Sequence, residues 1–111
     1  MTNTIAAGSI FSSLPRDAPD EKITALVTTP HMRLESIVSH GHTTPEGVWY
    51  DQDRTEWVLL VKGSADLLFE HESAPRVLRP GDYVEIAAHV RHRVTATDPH
   101  QETVWLALHY A

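Results

Sequence analysis

Apolar and polar residues alternate with a period of two along most of this chain, as they do in strands that bury one face. Between Lys22 and Thr28, Ile23, Ala25 and Val27 alternate with Thr24, Leu26 and Thr28. After Pro30, a second run from Met32 to His40 puts Met32, Leu34, Val38 and His40 on one parity and Arg33, Glu35 and Ile37 on the other. The stretch Thr55–Val61 is apolar on both parities apart from Glu56, which predicts a buried strand. Lys62-Gly63-Ser64 then makes a tight turn into Ala65–Glu70, so these two runs form a hairpin. Further turns are predicted at His71–Pro75, Pro80-Gly81-Asp82, Ala87–His89 and Asp98-Pro99-His100. They separate Val77-Leu78, a short strand after Gly81, a strand carrying His92 and Val94 on one face, and a last strand over Thr103–Tyr110.

Many short strands with closely spaced turns and no long helical pattern make the chain all-β. Two sheets closing on each other in a jelly-roll barrel would use both faces of the Glu56–Val61 strand. Residues 1–21 carry Pro15, Pro19 and Ser12-Ser13 and read as an N-terminal arm. Within it Ile10, Phe11 and Leu14 form either one short helical turn docked on the barrel or part of a frayed tail. The expected organisation is thus an arm, 1–21, and one barrel domain, 22–111.

Composition removes several function classes. Nine basic against 15 acidic residues give a net charge of −6, and the basic ones are scattered, which argues against a nucleic-acid or anionic-membrane surface. The absence of cysteine excludes disulfides, thiolate metal sites and thiol nucleophiles. No signal peptide and no membrane-length apolar run are legible, so a cytoplasmic protein is expected. No serine sits in a nucleophile elbow, and no glycine-rich loop is built to cradle phosphate. Eight histidines in 111 residues are the compositional oddity.

Two motifs carry the candidate chemistry. Glu56 is followed after six residues by Gly63, and the run Glu-Trp-Val-Leu-Leu-Val-Lys-Gly closes a hairpin. Gly81 is followed after ten residues by His92, with Ala87 and His89 at the intervening turn. In this order and separation the two resemble the paired motifs of the cupin superfamily, and the resemblance covers roughly residues 32–110. The chain is most similar to small single-domain bacterial cupins. The resemblance implies a double-stranded β-helix, a ligand site inside the barrel and, because small cupins commonly bury an apolar sheet face, a homodimer. The face opposite Glu56, carrying Trp57, Leu59 and Val61, would serve that purpose.

In that family two histidines before the glutamate join it and the later histidine as metal ligands. Here a spacer of four residues places those positions on Trp49 and Asp51, and a spacer of three places them on Tyr50 and Gln52. The resemblance therefore implies a site drawn from Asp51, Gln52, Glu56 and His92, holding zinc, manganese, iron or nickel if it holds a metal. A metal-free pocket lined by the same polar groups is the preferred reading. Tyr50 and His89 are the candidate general acid/base residues. His40-Gly41-His42 is a true His-x-His, but it lies in a glycine- and proline-containing loop and is expected to face solvent. His109 shares parity with Trp105 and faces either the pocket or a partner subunit.

Glu56 breaks the local rule, since an unpaired carboxylate inside an apolar strand is costly. Its compensation is either a bound ligand or metal, or an ion pair with Arg33, Arg91 or Arg93. The expected function is binding of a small molecule in the barrel. The alternative is a metal-dependent dioxygenase, isomerase or lyase acting on a small organic substrate.

Overall fold

The computed structural model describes residues 3–11 and 13–111; Met1, Thr2 and Ser12 of the predicted arm lie outside the described residues. Eight antiparallel strands follow in order: β1 Lys22–Thr29, β2 Met32–Ser39, β3 Thr55–Lys62, β4 Ala65–Phe69, β5 Arg76–Leu78, β6 Tyr83–Ile86, β7 His92–Thr97 and β8 Thr103–Tyr110. Among the described residues there is no helix, and hence none long and apolar enough to cross a membrane. The short helical turn over Ile10, Phe11 and Leu14 does not form; the described part of the arm is irregular, and Leu14 N–H donates to Glu102 Oε1 at 2.9 Å.

The strands build a five-stranded sheet, β1-β2-β8-β3-β6, and a three-stranded sheet, β5-β4-β7. The alternation read from the sequence sets their facing. On β3, Glu56, Val58 and Leu60 are buried while Trp57, Leu59 and Val61 are half-buried on the other side. On β8, Trp105, Ala107 and His109 share the buried side with them, because Leu60 pairs with Trp105, Val58 with Ala107 and Glu56 with His109. The core between the sheets is made by Val58, Leu60, Leu67, Phe69, Leu78, Ile86 and Trp105.

The hairpin turn between β3 and β4 needs its glycine. Gly63 has φ +85°, and a Cβ there would lie 2.5 Å from Thr103 Oγ1, so both conformation and space exclude a side chain. At the other flank, residues 44–50 extend the small sheet beyond β7 without becoming a strand. Thr44 N–H donates to Val94 O at 2.9 Å, and Tyr50 and His92 exchange backbone hydrogen bonds of 2.8 and 3.1 Å. That segment brings the sequence just before Glu56 onto the wall of the space between the sheets.

Candidate functional site

A cavity of about 470 Å³ opens between the two sheets, within the range of small-ligand sites. Glu56 reaches it from β3 and His92 from β7, so the two motif residues approach from opposite sheets. Of the residues in the two spacings left open by the sequence, Tyr50 and Gln52 line this cavity with Glu56 and His92, whereas Asp51 does not. Alternation explains it, since the Tyr50–His92 bridge fixes the facing of residue 50 and residue 52 shares its parity.

Asp51 turns to a second cleft at the barrel end, where its Oδ1 lies 2.8 Å from His89 Nδ1. His89, a sequence candidate for acid/base chemistry, is thus held by Asp51 outside the main cavity, with its side chain 70% exposed. It serves the turn: its φ is +67°, and its N–H donates to Gln52 O at 2.7 Å. Tyr50 remains beside the cavity, its ring centroid 5.8 Å from that of His92.

His92 is buried, and its Nδ1 lies 2.8 Å from the carbonyl oxygen of Val90. A carbonyl only accepts, so Nδ1 carries the proton and, in the neutral ring, Nε2 presents a lone pair. Nε2 lies 3.8 Å from Glu56 Oε2, beyond hydrogen-bond range. Glu56 is 8% exposed, and none of the arginines offered by the sequence neutralises it. Arg33 pairs with Glu35, Arg91 pairs with Glu70, and Arg93 donates to Thr44 O. Glu56 Oε2 and Gln52 Oε1 are buried acceptors without a hydrogen-bond partner among the described residues. Burial pushes the Glu56 carboxyl above its ordinary pKa; His109 and His92 pull the other way, and Glu35 adds to the rise.

Two further polar residues belong to this wall and were not singled out as a pair by the sequence. His109 Nε2 donates to Glu35 Oε1 at 2.9 Å, and Arg33 Nε lies 3.3 Å from the other Glu35 oxygen. Both partners of the Glu35–His109 pair are buried and line the cavity. The usable signals were parity alone: Glu35 with Ile37 on β2 and His109 with Trp105 on β8. His42, expected in solvent, also lines the cavity. Its Nδ1 accepts from His40 N–H at 2.8 Å, which leaves Nε2 to donate to Ala18 O at 2.7 Å and ties the arm to the loop.

A resident first-row metal ion usually takes three or more imidazole, carboxylate or thiolate ligands. Here a phenol and an amide stand at two of the four positions, Asp51 is engaged by His89, and His109 by Glu35. Among the described residues, no group of three or more His, Cys, Asp or Glu side chains is arranged to hold a metal. The donor set does not fit such an ion. The cavity instead sets the unpartnered acceptors Glu56 Oε2 and Gln52 Oε1 beside an apolar wall that includes Val58, Ile37 and Trp105.

Comparison with solved structures places the arrangement among known folds. A Ralstonia eutropha JMP134 protein, provisionally named a mannose-6-phosphate isomerase, is 45% identical; the match covers 95% of this chain and 97% of that one, with a TM-score of 0.89. A cupin superfamily protein of Desulfitobacterium hafniense DCB-2 matches with a TM-score of 0.70 at 14% identity, over 87% of this chain and 83% of that one. An RmlC-like cupin of Methanocaldococcus jannaschii, a double-stranded β-helix, gives 0.67 at 20% identity over 93% of each chain. No family model matches the sequence, and no curated protein does.

Proposed function

The chain belongs to the cupin superfamily, and on that premise we propose that it binds a small organic molecule between its sheets, through its own side chains rather than a resident metal. The observation that carries this reading is Glu56, a buried carboxylate on an otherwise apolar strand with one oxygen unpartnered. A folded chain keeps such a costly group where something else completes its hydrogen bonding. Gln52 Oε1 is a second such acceptor in the same cavity, and His92 Nε2 stands 3.8 Å from Glu56 Oε2. A metal-dependent dioxygenase, isomerase or lyase is the weaker reading, because it needs a third ligand that neither Asp51 nor His109 is placed to give.

The test is thermal melting of EDTA-treated protein against a panel of small metabolites, followed by calorimetry on any that raise the midpoint. A ligand that binds only the native state raises apparent stability with the logarithm of its concentration over Kd. The Ralstonia relative's name makes mannose 6-phosphate an obvious member of the panel. A panel of varied charge and size that leaves the midpoint unchanged, while zinc or manganese restores a ligand response, would replace this reading with the metal-dependent one.

The same proposal includes a homodimer built on the outer face of the large sheet. Trp57, Leu59, Leu106 and Leu108 lie half-buried there, beside Tyr83 at 66% exposure. β1 adds an edge strand whose residues are all exposed, Ile23, Leu26 and Val27 among them. An open edge next to an apolar face invites pairing, and a second copy offers the matching surface.

A further inference from the structure

We propose that the ligand of this cavity is a small organic cation, a primary or secondary amine carrying an apolar group, and not a phosphate ester or carboxylate. The proposal rests on the small-molecule reading above and names the class of molecule. Four carboxylates line the cavity, Asp20, Glu21, Glu35 and Glu56, while among the described residues no lysine or arginine lines it. Three of the four are accounted for by position or partner. Asp20 is exposed, Glu21 Oε2 accepts from Ser39 Oγ at 2.8 Å, and Glu35 holds both His109 and Arg33. Glu56 is buried with no lysine or arginine paired to it, and the imidazole His92 Nε2 stands 3.8 Å from its Oε2.

The polar atoms around Glu56 share one demand. Ionised Glu56 Oε2 and Gln52 Oε1 accept, and in the neutral ring His92 Nε2, 3.8 Å from Glu56 Oε2, is a further acceptor. A ligand that satisfies them must bring several donors to this cavity. An ammonium group carries two or three N–H donors and the positive charge that a desolvated carboxylate lacks, and such charge-assisted bonds are the stronger kind. A hydroxyl brings one donor and no charge. A phosphate or carboxylate brings further acceptors and negative charge, and the nearest arginine on the large sheet, Arg33, is already committed to Glu35.

The rest of the wall fits the other end of such a molecule. Val58 is the next inward residue after Glu56 on β3, and Ile37 pairs with Trp105 on the neighbouring strands. These side chains offer apolar surface below the polar group, so the ligand carries hydrocarbon next to its nitrogen.

Three near-isosteric probes differing in charge test the proposal: benzylamine, benzyl alcohol and benzoate, with mannose 6-phosphate as a fourth. Binding to the full-length protein is measured by calorimetry at pH 7.5 with EDTA present. Benzylamine is expected to bind at least tenfold more tightly than benzyl alcohol, and benzoate and mannose 6-phosphate not measurably. Glu56→Gln should remove that tenfold preference while leaving benzyl alcohol binding in place, which also shows that the variant is folded. If benzoate or mannose 6-phosphate binds as tightly as benzylamine, the organic-cation assignment is overturned and the ligand-binding reading stands. If none of the four binds, the organic-cation assignment falls, and the ligand-binding reading is decided by the wider metabolite panel.

Discussion

His92 Nε2 and Glu56 Oε2 face each other from opposite sheets across 3.8 Å, close enough to feel each other's charge and too far apart for a hydrogen bond. The separation follows from the fold: Glu56 stands on the large sheet, paired with Ile86 and His109, and His92 on the small one, paired with Phe69. Packing of the two sheets sets the gap.

The first prediction concerns the acid. Burial raises the folded-state pKa of Glu56, so the unfolded chain gives up this proton at lower pH than the native one does. Its contribution therefore favours folding at low pH and is lost as pH rises from the ordinary carboxylate range through the raised value. Glu56→Gln should flatten that loss, making the ligand-free variant more stable than wild type at pH 8 by about 1 kcal/mol and little different at pH 4. Urea melts across this range check it. A variant destabilised at pH 8 would mean that the carboxylate is paired in the native state.

The spacing of the site gives a second. Gln52→Leu should weaken benzylamine binding at least threefold, since it removes a cavity-lining acceptor. Asp51→Ala should leave that affinity unchanged and cost stability no more than ~0.5 kcal/mol, because the exposed Asp51–His89 pair lies in the other cleft. Calorimetry on both variants distinguishes the two registers, and the reverse pattern would reinstate Asp51 at the site.

A third tests the pair Glu35–His109. His109→Phe strands the Glu35 carboxylate with only half-exposed Arg33, and should cost about 3 kcal/mol in a denaturant melt. Adding Glu35→Gln should recover part of that loss, since the second substitution removes the uncompensated charge. Additive losses in the double variant would show that the pair contributes nothing as a unit.

The fourth addresses assembly. Leu108→Lys puts a charge in the centre of the apolar outer face without touching the cavity. Light scattering should find wild type at twice the chain mass and the variant at the chain mass. A wild-type protein already monomeric at micromolar concentration rules out the proposed interface.

Much of the architecture was legible because strand periodicity is local. The alternation around Glu56 and Trp57 assigned the faces of β3, and Lys62-Gly63-Ser64 marked the hairpin turn, where Gly63 has φ +85°. The Gly81-to-His92 and Glu56-to-Gly63 spacings pointed to the family that the Ralstonia relative bears out. Of the two readings of Ile10, Phe11 and Leu14, the helical turn is not the one found, since these three residues are irregular. Three apolar residues in a short stretch are weak evidence for a helix, and Leu14 N–H is instead taken up by Glu102, 88 residues away in sequence.

The site was legible only in part, and the limit is physical. From the sequence alone follow the all-β fold, the inward carboxylate of Glu56 and the departure from a His-x-His pair. Only the tertiary structure decided that Gln52 rather than Asp51 reaches the cavity, that Arg33 serves Glu35, and that His109 closes a buried pair with it. A period of two tells which side of a sheet a residue faces. It does not tell which strands become neighbours, and β2, β8 and β3 lie side by side only because β8 inserts between strands that precede it in sequence. Charge compensation depends on distances of a few ångströms between such strands, so partners are chosen by packing and not by spacing along the chain.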